Sequence, residues 1–376
     1  MPFIFAQKKA MSVNYHQVSS EKLRRFTVSV FKNMGCNDHD AEIAAGVLLQ
    51  ADLRGIDSHG VARLSGYVRL WKAGRINAQA QPKIIYENHT TGTLDGDGGL
   101  GLITAAMAMD IAIDKAKKYG SGWIAVQNSN HFGIASAHAS KALEHGMVGM
   151  ALTNASPLVA PTYSTERLLG TNPICYAIPA GDEKPVIIDM ATSAAANGKL
   201  EIAQRQNAEI PTGWLQDKVG ENTNDPRDLK AGGSLLPLGS VKETGSHKGY
   251  GLSAFVDIFS GVLSGANYGP WVPPFVSFLP LATDMPGKGI GHFVGAMRVD
   301  GFRPKVEFEK NMDQWIRRFK SAKTVNGQKE VIIPGEPEDR MNAIRKQEGI
   351  PIIDPVYNDL QGICADLNFD FPDLSF

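Results

Sequence analysis

Through the first part of the chain, apolar residues recur every three or four positions, which is the spacing of one helix face. The spacing predicts helices over 21–34, 37–55 and 60–73. Ser19 and Ser20 form a cap before the first of these helices, Asn37 or Asp38 caps the second, and Gly74 closes the third. The chain therefore begins with a helical unit.

Beyond residue 80, short apolar runs alternate with longer helical patterns. Strands are predicted over 83–86, 92–94, 123–126, 148–152, 174–178, 186–188, 290–299 and 331–333. Helices are predicted over 103–119, 134–145, 248–264, 312–322, 337–347 and 355–366. This alternation is typical of an α/β fold.

The domain boundary is expected near residues 79–83. We predict a helical domain over 15–80 and an α/β domain over 81–336; the C-terminal helices in 337–376 are candidates to join the first domain. The stretches 210–245 and 266–289 are rich in Gly and Pro and only weakly periodic. Long stretches of this kind are usually binding loops or lids.

The composition excludes several classes of protein. The 376 residues carry a formal net charge of −1, so no basic surplus points to nucleic acid or to an anionic membrane. Apolar runs stop well short of the roughly 18 residues that indicate a membrane span. Residues 1–10 lack the pattern of a secretory signal, and Met11 is an equally good start. Three widely spaced cysteines indicate buried thiols in a reducing compartment, so we expect a cytoplasmic protein.

One candidate for acid–base chemistry is His59, within Asp57–Arg63. Asp57 or Ser58 is expected to cap a helix, which places His59 in its first turn. Arg63, four residues later, then lies on the same face and offers a planar fork for a carboxylate. A plain helix cap beside a surface arginine explains the pattern equally well.

A second candidate is His131, in the polar turn that follows the predicted strand 123–126. Open α/β sheets tend to bind ligands where a strand ends. Histidine is also the side chain that most readily exchanges a proton near neutral pH. The alternative is a histidine that only caps the next helix.

The stretch Gly96–Gly101 fits the dinucleotide pattern G-x-G-x-x-G, but we interpret it as a decoy. The strand before it is short and polar, and the next strand ends in Gln127-Asn128 instead of the expected acidic residue. A glycine-rich turn that approaches another backbone explains the pattern as well.

Three other segments suit a nucleotide. The strand 186–188 runs into Asp189–Ser193, whose polar groups suit ribose or phosphate, although Thr192 or Ser193 could simply cap a helix. Lys248-Gly249 opens an apolar helix, which makes an anion site. Pro334–Glu336 could face phosphate or adenosine, but Pro-Gly is also a common turn.

Other chemistries find little support. The chain has no His-Glu-x-x-His, Cys-x-x-Cys or G-x-x-x-x-G-K-[ST] motif and no Gly-x-Ser-x-Gly nucleophile turn. His131, His138 and His145 recur every seven residues without the close spacing of a metal site. We therefore expect no metal.

Taken together, the motifs resemble those of the type-2 malate/L-lactate dehydrogenase family, which includes ureidoglycolate and sulfolactate dehydrogenases. The matching segments occur in family order over roughly residues 15–350: 57–64, 96–101, 128–133, 153–157, 170–173, 189–193, 248–252 and 334–336. The resemblance implies an α/β, non-Rossmann fold with a helical N-terminal domain and a larger mixed-sheet domain that binds the cofactor. It also implies a homodimer with active sites near the subunit interface.

The resemblance further implies an oxidoreductase that uses NAD or NADP and acts on a small 2-hydroxy acid or its 2-oxo counterpart. It marks His59 and His131 as acid–base candidates and Ser58 and Ser156 as substrate-site residues. The carboxylate clamp, Arg63, is inferred from charge and spacing. The cofactor-binding candidates are Thr171, Asn172, Asp189, Met190, Ala191, Thr192, Ser193, Lys248, Gly249, Pro334, Gly335 and Glu336.

Two segments depart from the family pattern: 194–199 is unusually small, and 271–286 is bulky and proline-rich. The second is expected to line or cover the pocket, which leaves the substrate open. Alternatives are a reductase of a cyclic imino acid or of a sugar-derived 2-oxo acid, a histidine-dependent hydrolase or lyase, and a non-catalytic dimeric scaffold.

Overall fold

The computed structural model describes residues 14–376, apart from the side chain of Arg205, so the expectations for residues 1–10 lie outside the described residues. The strands are β1 (Tyr15–Val18), β2 (Lys83–Glu87), β3 (Thr91–Asp95), β4 (Ser121–Ser129), β5 (Met147–Thr153), β6 (Ile174–Ile178), β7 (Val186–Met190), β8 (Leu215–Gln216), β9 (Asn222–Thr223), β10 (Ser234–Leu235), β11 (Ile290–Arg298) and β12 (Ile350–Ile353). The helices are α1 (Ser20–Asn33), α2 (Asp38–Leu53), α3 (Leu64–Lys72), α4 (Gly101–Tyr119), α5 (Ala135–Ala139), α6 (Asn197–Arg205), α7 (Ser246–Asp257), α8 (Lys305–Lys320), α9 (Glu336–Glu348) and α10 (Asp354–Leu367).

A seven-stranded mixed sheet in the order β2-β3-β4-β11-β5-β6-β7 forms the centre of the α/β part. Only β3 and β4 pair in parallel, and α4 connects them as a β–α–β unit. The late strand β11 lies between β4 and β5 and is antiparallel to both. A Rossmann fold would instead have a mostly parallel sheet built from successive β–α–β units. The predicted non-Rossmann α/β class is therefore confirmed.

The N-terminal helices share a core with the end of the chain. β1 pairs antiparallel with β12, and α10 packs on α1 and α3. One apolar cluster contains Phe31, Leu48 and Tyr67 together with Ile350 and Leu360. The C-terminal segment thus returns to the helical part, while the exact domain division stays a prediction.

Local signals place several element ends correctly. The Ser19 hydroxyl accepts from the Lys22 N–H at the start of α1, and Asn37 Oδ1 accepts from the Asp40 N–H at the start of α2. Gly120 ends α4 with a φ of 92°, a left-handed conformation that favours glycine.

Several predicted elements differ from the structure; the helix predicted over 312–322, for example, is α8, which runs from Lys305 to Lys320. The third helix begins at Leu64, not at residue 60, and the helix over 134–145 is α5 followed by a 3₁₀ turn. Residues 331–333 form no strand, because they make no backbone pairing with a neighbouring strand of any sheet in the described part of the chain. Ile333 is buried and its N–H donates to the Glu336 carboxylate, while Ile332 is 43% exposed, so this apolar run does not mark a paired strand. Within the described part of the chain, no helix has the length and hydrophobicity needed to cross a membrane.

Candidate active site

The turn that carries His59 is built differently from our expectation. Two 3₁₀ turns, Asp57–His59 and Val61–Arg63, precede α3, so His59 is not in the first turn of an α-helix and neither Asp57 nor Ser58 caps one. The physical reason lies in their partners. The Asp57 carboxylate binds Arg345, the Ser58 hydroxyl binds the His59 ring, and the Val61 N–H donates to buried Asp52 at 2.8 Å.

Within this turn, Ser58 holds both functional candidates. Its hydroxyl lies 2.8 Å from His59 Nδ1, and its backbone carbonyl accepts from Arg63 Nε at 2.5 Å. The side chains of His59 and Arg63 are therefore kept beside each other although no single α-helix carries them. His59 and Arg63 are neighbours, as predicted, but Ser58 holds them together instead of a shared helix face.

His131 lies just beyond the end of β4, and its turn packs against the glycine-rich segment. The Asn130 amide donates to the carbonyls of Gly98 and Gly99, at 2.9 and 3.0 Å. A Cβ on Gly101 would lie 1.9 Å from the Asn130 carbonyl oxygen, so only glycine permits this approach. The segment Gly96–Gly101 thus supports the His131 turn, in agreement with the backbone-approach interpretation.

The two imidazole rings face each other. Their centroids are 5.8 Å apart with an interplanar angle of 23°. His131 Nδ1 lies 2.6 Å from the Tyr67 hydroxyl, so a hydroxyl holds the Nδ1 atom of each ring. Among the described residues, neither Nε2 atom has a hydrogen-bond partner. Each ring therefore has one fixed nitrogen and one that remains available to a ligand.

Burial keeps both rings neutral. It lowers the pKa of His59 to about 3, and the neighbouring Arg63 cation lowers it further in the same direction. Burial also holds the pKa of His131 well below its ordinary value, with additional lowering by His59 and Arg63. At neutral pH both imidazoles can accept a proton.

Aromatic and carboxylate side chains enclose this pair. The ring of Phe275 lies 4.6 Å from the ring of His131, so the bulky segment 271–286 does contact the site. Ser156 is buried, and its hydroxyl accepts from the Phe275 N–H at 2.9 Å. Glu201 of α6 lies 3.7 Å from Arg63 Nη2, which places a carboxylate next to the proposed clamp.

The candidate cofactor residues gather around the end of β7. The Thr192 N–H and hydroxyl donate to the Thr171 carbonyl, and the buried Asn172 side chain links the Ala155 N–H to Ser253 of α7. Asp189, Met190 and Ala191 are half-buried there, and Ser193 binds the Ala195 carbonyl. Thr171, Asn172, Thr192 and Ser193 thus make largely internal bonds.

Lys248 and Gly249 lie close to the same strand end. The Leu238 N–H donates to the Thr192 carbonyl at 2.9 Å, and a Cβ on Gly249 would lie 2.2 Å from the Leu238 carbonyl oxygen. Glycine at 249 therefore lets the start of α7 approach the end of β7. The Lys248 side chain is exposed at this helix start.

Pro334, Gly335 and Glu336 lie along the outer edge of β7. The Ile187 N–H donates to the Pro334 carbonyl at 3.0 Å, and Gly335 has a φ of 97°. The Glu336 carboxylate binds Lys320 and the Ile333 N–H, so it is already engaged within the protein.

These groups fit a nicotinamide dinucleotide. Asp189 accepts from the Ser136 N–H through Oδ2, at 2.8 Å. Burial raises the pKa of the Asp189 carboxyl, and the side chain and N–H of Ser136 oppose that rise. A carboxylate oxygen suits a ribose hydroxyl, and the Lys248 ammonium at a helix start suits a pyrophosphate.

Sequence reasoning missed several residues of the site: Tyr67, Phe275, Glu201, Asp52 and Arg345. Only Tyr67 has a local signal, because it lies one helical turn beyond Arg63. Phe275 belongs to a segment that was expected to cover the pocket without any one residue being singled out. Asp52 and Arg345 act on the His59 turn through contacts that spacing does not reveal.

Known proteins share this architecture over almost the whole chain. The family model described as malate/L-lactate dehydrogenase matches residues 18–361. A malate dehydrogenase of Pyrococcus abyssi is 42% identical, covering 95% of this chain and 96% of that protein. An L-sulfolactate dehydrogenase of Methanocaldococcus jannaschii is 35% identical, covering 94% and 98%. The crystal structure of malate dehydrogenase from Entamoeba histolytica is 34% identical with a TM-score of 0.88, covering 96% of this chain and all of that one.

The fold and these relatives define an oxidoreductase of 2-hydroxy acids, a class that implies a nicotinamide cofactor. The chain belongs to the malate/L-lactate dehydrogenase family. The resemblance that the motifs predicted is therefore confirmed.

Proposed function

We propose that His59 and His131 form the acid–base pair for interconversion of a small 2-hydroxy acid and its 2-oxo acid, with Arg63 as the carboxylate clamp. The observation that carries the proposal is the pair of parallel, neutral imidazoles 5.8 Å apart, each held at Nδ1 by a hydroxyl. A substrate oxygen between the two Nε2 atoms would meet a proton acceptor on either side.

His131 is the preferred base, because Tyr67 serves both of its protonation states. For Nε2 to act as the base, Nδ1 must carry the ring proton, and the Tyr67 oxygen accepts from that N–H in the neutral ring and in the imidazolium alike. When it accepts, the Tyr67 O–H can turn to the His131 carbonyl oxygen, 3.3 Å away. His131 can thus take the substrate hydroxyl proton in oxidation and return it in reduction without losing its orientation.

Asp189, Lys248 and the Pro334–Glu336 turn would hold the cofactor, with Thr171, Asn172, Met190, Ala191, Thr192, Ser193 and Gly249 forming the surrounding wall. When bound, the nicotinamide ring supplies or accepts the hydride. The site is compatible with NAD or NADP. Among substrates, malate and sulfolactate are the first to try, since relatives are named for them. Ser58 acts by fixing His59 and Arg63, and Ser156 by fixing Phe275.

The proposal extends to assembly and location. A homodimer is supported by an apolar strip on the π-helical turn after α7, where Ile258, Val262 and Leu263 are each at least half exposed. A cytoplasmic location is supported by Cys36, Cys175 and Cys364, which are all buried free thiols. Light scattering on the purified protein would report the oligomeric state.

The clamp is tested with a 2-oxo acid and its neutral methyl ester. Arg63→Ala is expected to raise KM for the acid about 10- to 100-fold, because a charge-assisted hydrogen bond is lost, and to leave KM for the ester nearly unchanged. Arg298→Ala, which removes an exposed arginine paired with Asp300, is the matched control. Equal effects of Arg63→Ala on acid and ester would reject the clamp.

A further inference from the structure

The last turn of α9 reaches across to the His59 turn. Arg345 is buried, and its Nη1 and Nη2 atoms both donate to the Asp57 carboxylate, with Nη2 at 3.1 Å from Oδ2. Nη1 also donates to the backbone carbonyl of Asp52 at 2.5 Å. A guanidinium fork bound to a carboxylate fixes direction as well as distance. One side chain therefore ties together the two ends of the connection between α2 and the turn.

A second ion pair also joins the residues after α2 to α9. Arg54, also buried, donates from Nη1 to Asp339 Oδ1 at 2.7 Å, and Asp339 lies in the first turn of α9. The two ion pairs have opposite polarity: in Arg54–Asp339 the cation lies in the segment after α2, whereas in Asp57–Arg345 the cation lies on α9. The segment from residue 54 to residue 57 is thus held along the length of α9.

The geometry continues from Asp57 into the candidate site. Asp57 precedes Ser58, whose hydroxyl binds His59 Nδ1 and whose carbonyl accepts from Arg63 Nε. Ser58 has no other hydrogen bond among the described residues that would fix its backbone carbonyl. A displacement of Asp57 is therefore passed directly to both His59 and Arg63.

We propose that Arg345 is a positioning residue for the reaction, holding the Asp57–Arg63 turn in the shape that presents His59 and Arg63 to the substrate. The inference rests on the proposed roles of His59 and Arg63. Arg345 itself touches neither ring nor clamp, so its effect is transmitted through Asp57 and Ser58.

The first test measures kinetics of the full-length enzyme with its cofactor. Arg345→Gln is expected to lower kcat/KM for the 2-oxo acid about 100-fold, since a misplacement near 1 Å can cost that much. Both KM and kcat should change, whereas cofactor affinity, measured by fluorescence titration, should not. Arg345→Lys keeps the positive charge but loses the bidentate guanidinium, so its kcat/KM should lie between those of the wild type and Arg345→Gln.

Two comparisons separate positioning from general stability. Arg298→Gln breaks a bidentate pair with Asp300 that lies away from the site, and it should leave kcat/KM unchanged. Asp57→Asn should lower kcat/KM in the same direction as Arg345→Gln, and the double variant should be no worse than Arg345→Gln, because the link to Asp57 is already lost in Arg345→Gln. Additive losses in the double variant would overturn the proposal.

A readout independent of turnover is the titration of His59, followed by NMR with ring-labelled histidine and assigned by loss of its signal in His59→Gln. The charged or titratable groups that face His59 are Arg63 and His131, and both remain in Arg345→Gln. In the wild type, the His59 signal should not titrate between about pH 5 and 8. In Arg345→Gln, release of the turn exposes the ring, so its pKa should rise toward the ordinary value.

The outcomes separate the two proposals. A wild type without turnover on any 2-oxo acid would reject the proposed function, while the His59 titration would still test the positioning. An active wild type with unchanged kinetics and unchanged His59 titration in a folded Arg345→Gln would overturn the inference. If Arg345→Gln fails to fold, Arg345→Lys and Asp57→Asn carry the same two measurements, and normal values in both would also overturn it.

Discussion

The two histidine turns are held in contrasting ways. In the His131 turn, the Asn130 side-chain amide donates to the Gly98 and Gly99 carbonyls, and the Gly101 backbone lies close against the Asn130 carbonyl. The His59 turn is held by ionisable side chains, with Asp52 on one side and Arg345 on the other. The His131 turn thus depends on an uncharged amide and on close backbone packing, whereas the His59 turn depends on ionisable side chains.

The difference shows how a pair of catalytic candidates can combine two kinds of support. Main-chain packing leaves little freedom, because no rotamer change can relieve a clash with a carbonyl. An ionic contact can be broken by substituting one residue of the pair and restored by a compensating substitution of the other. We therefore expect the His59 turn to be the more adjustable member of the pair.

The largest expected effect comes from removing the rings themselves. His131→Ala and His59→Ala should each lower kcat by roughly 10²- to 10⁴-fold, the usual contribution of a positioned acid or base. Cofactor affinity should stay close to that of the wild type. Steady-state kinetics with a fluorescence titration of the cofactor measures both quantities. A normal kcat in His59→Ala alone would assign proton transfer to His131, and a normal kcat in both would reject the pair.

A smaller effect distinguishes the two kinds of support. Gly101→Ala and Gly60→Ala should each lower the free energy of unfolding by about 1–3 kcal/mol through crowding. The added Cβ on Gly60 would meet the Asp52 carboxylate at 1.8 Å, whereas that on Gly101 would meet a carbonyl. Asp52→Ala should therefore absorb the cost of Gly60→Ala, so that the double variant is no less stable than Asp52→Ala alone.

When Asp52→Ala is combined with Gly101→Ala, the losses in the free energy of unfolding should add, because the two sites share no contact. Denaturant unfolding of the single and double variants measures each step. Rescue of Gly101→Ala by Asp52→Ala would show that the two turns are not supported independently.

A third prediction concerns stability in acid and the buried His292 next to the His131 turn. His292 stacks on Phe132 with centroids 5.0 Å apart, and burial lowers its pKa to about 3. Below about pH 6.5 the unfolded chain protonates this residue while the native protein does not, so its contribution to stability falls as pH falls toward 3. The slope is roughly 1.4 kcal/mol per pH unit.

His292→Gln should therefore flatten the pH dependence of unfolding between about pH 4 and 6 relative to the wild type. The matched control is His89→Gln, at an exposed position, which should leave the slope unchanged. A variant slope equal to that of the wild type would show that His292 is not held neutral in the native protein.

Much of the local architecture could be predicted from the sequence, because local signals encode it. The caps at Ser19 and Asn37 and the strand Ile174–Ile178 occur where apolar spacing and cap chemistry place them. The position of β11 between β4 and β5 could not be predicted, since it depends on pairing between strands far apart in the chain.

The candidate site shows the same limit. The setting of His131, at a strand end beside a glycine turn, follows from nearby residues. The setting of His59 does not, because Arg345 is 288 residues from Asp57 and 293 from Asp52. Without those partners in view, the sequence favours an ordinary helix cap at Asp57 or Ser58, which is wrong.

The most direct test of the central claim is absorbance at the reduced-nicotinamide band with the purified wild type. NADH and NADPH would each be supplied with pyruvate, oxaloacetate, oxalurate, sulfopyruvate, diketogulonate and a cyclic imino acid. We predict that absorbance falls with at least one 2-oxo acid, which would identify the cofactor and substrate group together. No turnover of any compound, together with no fluorescence change on adding either reduced cofactor, would contradict the account.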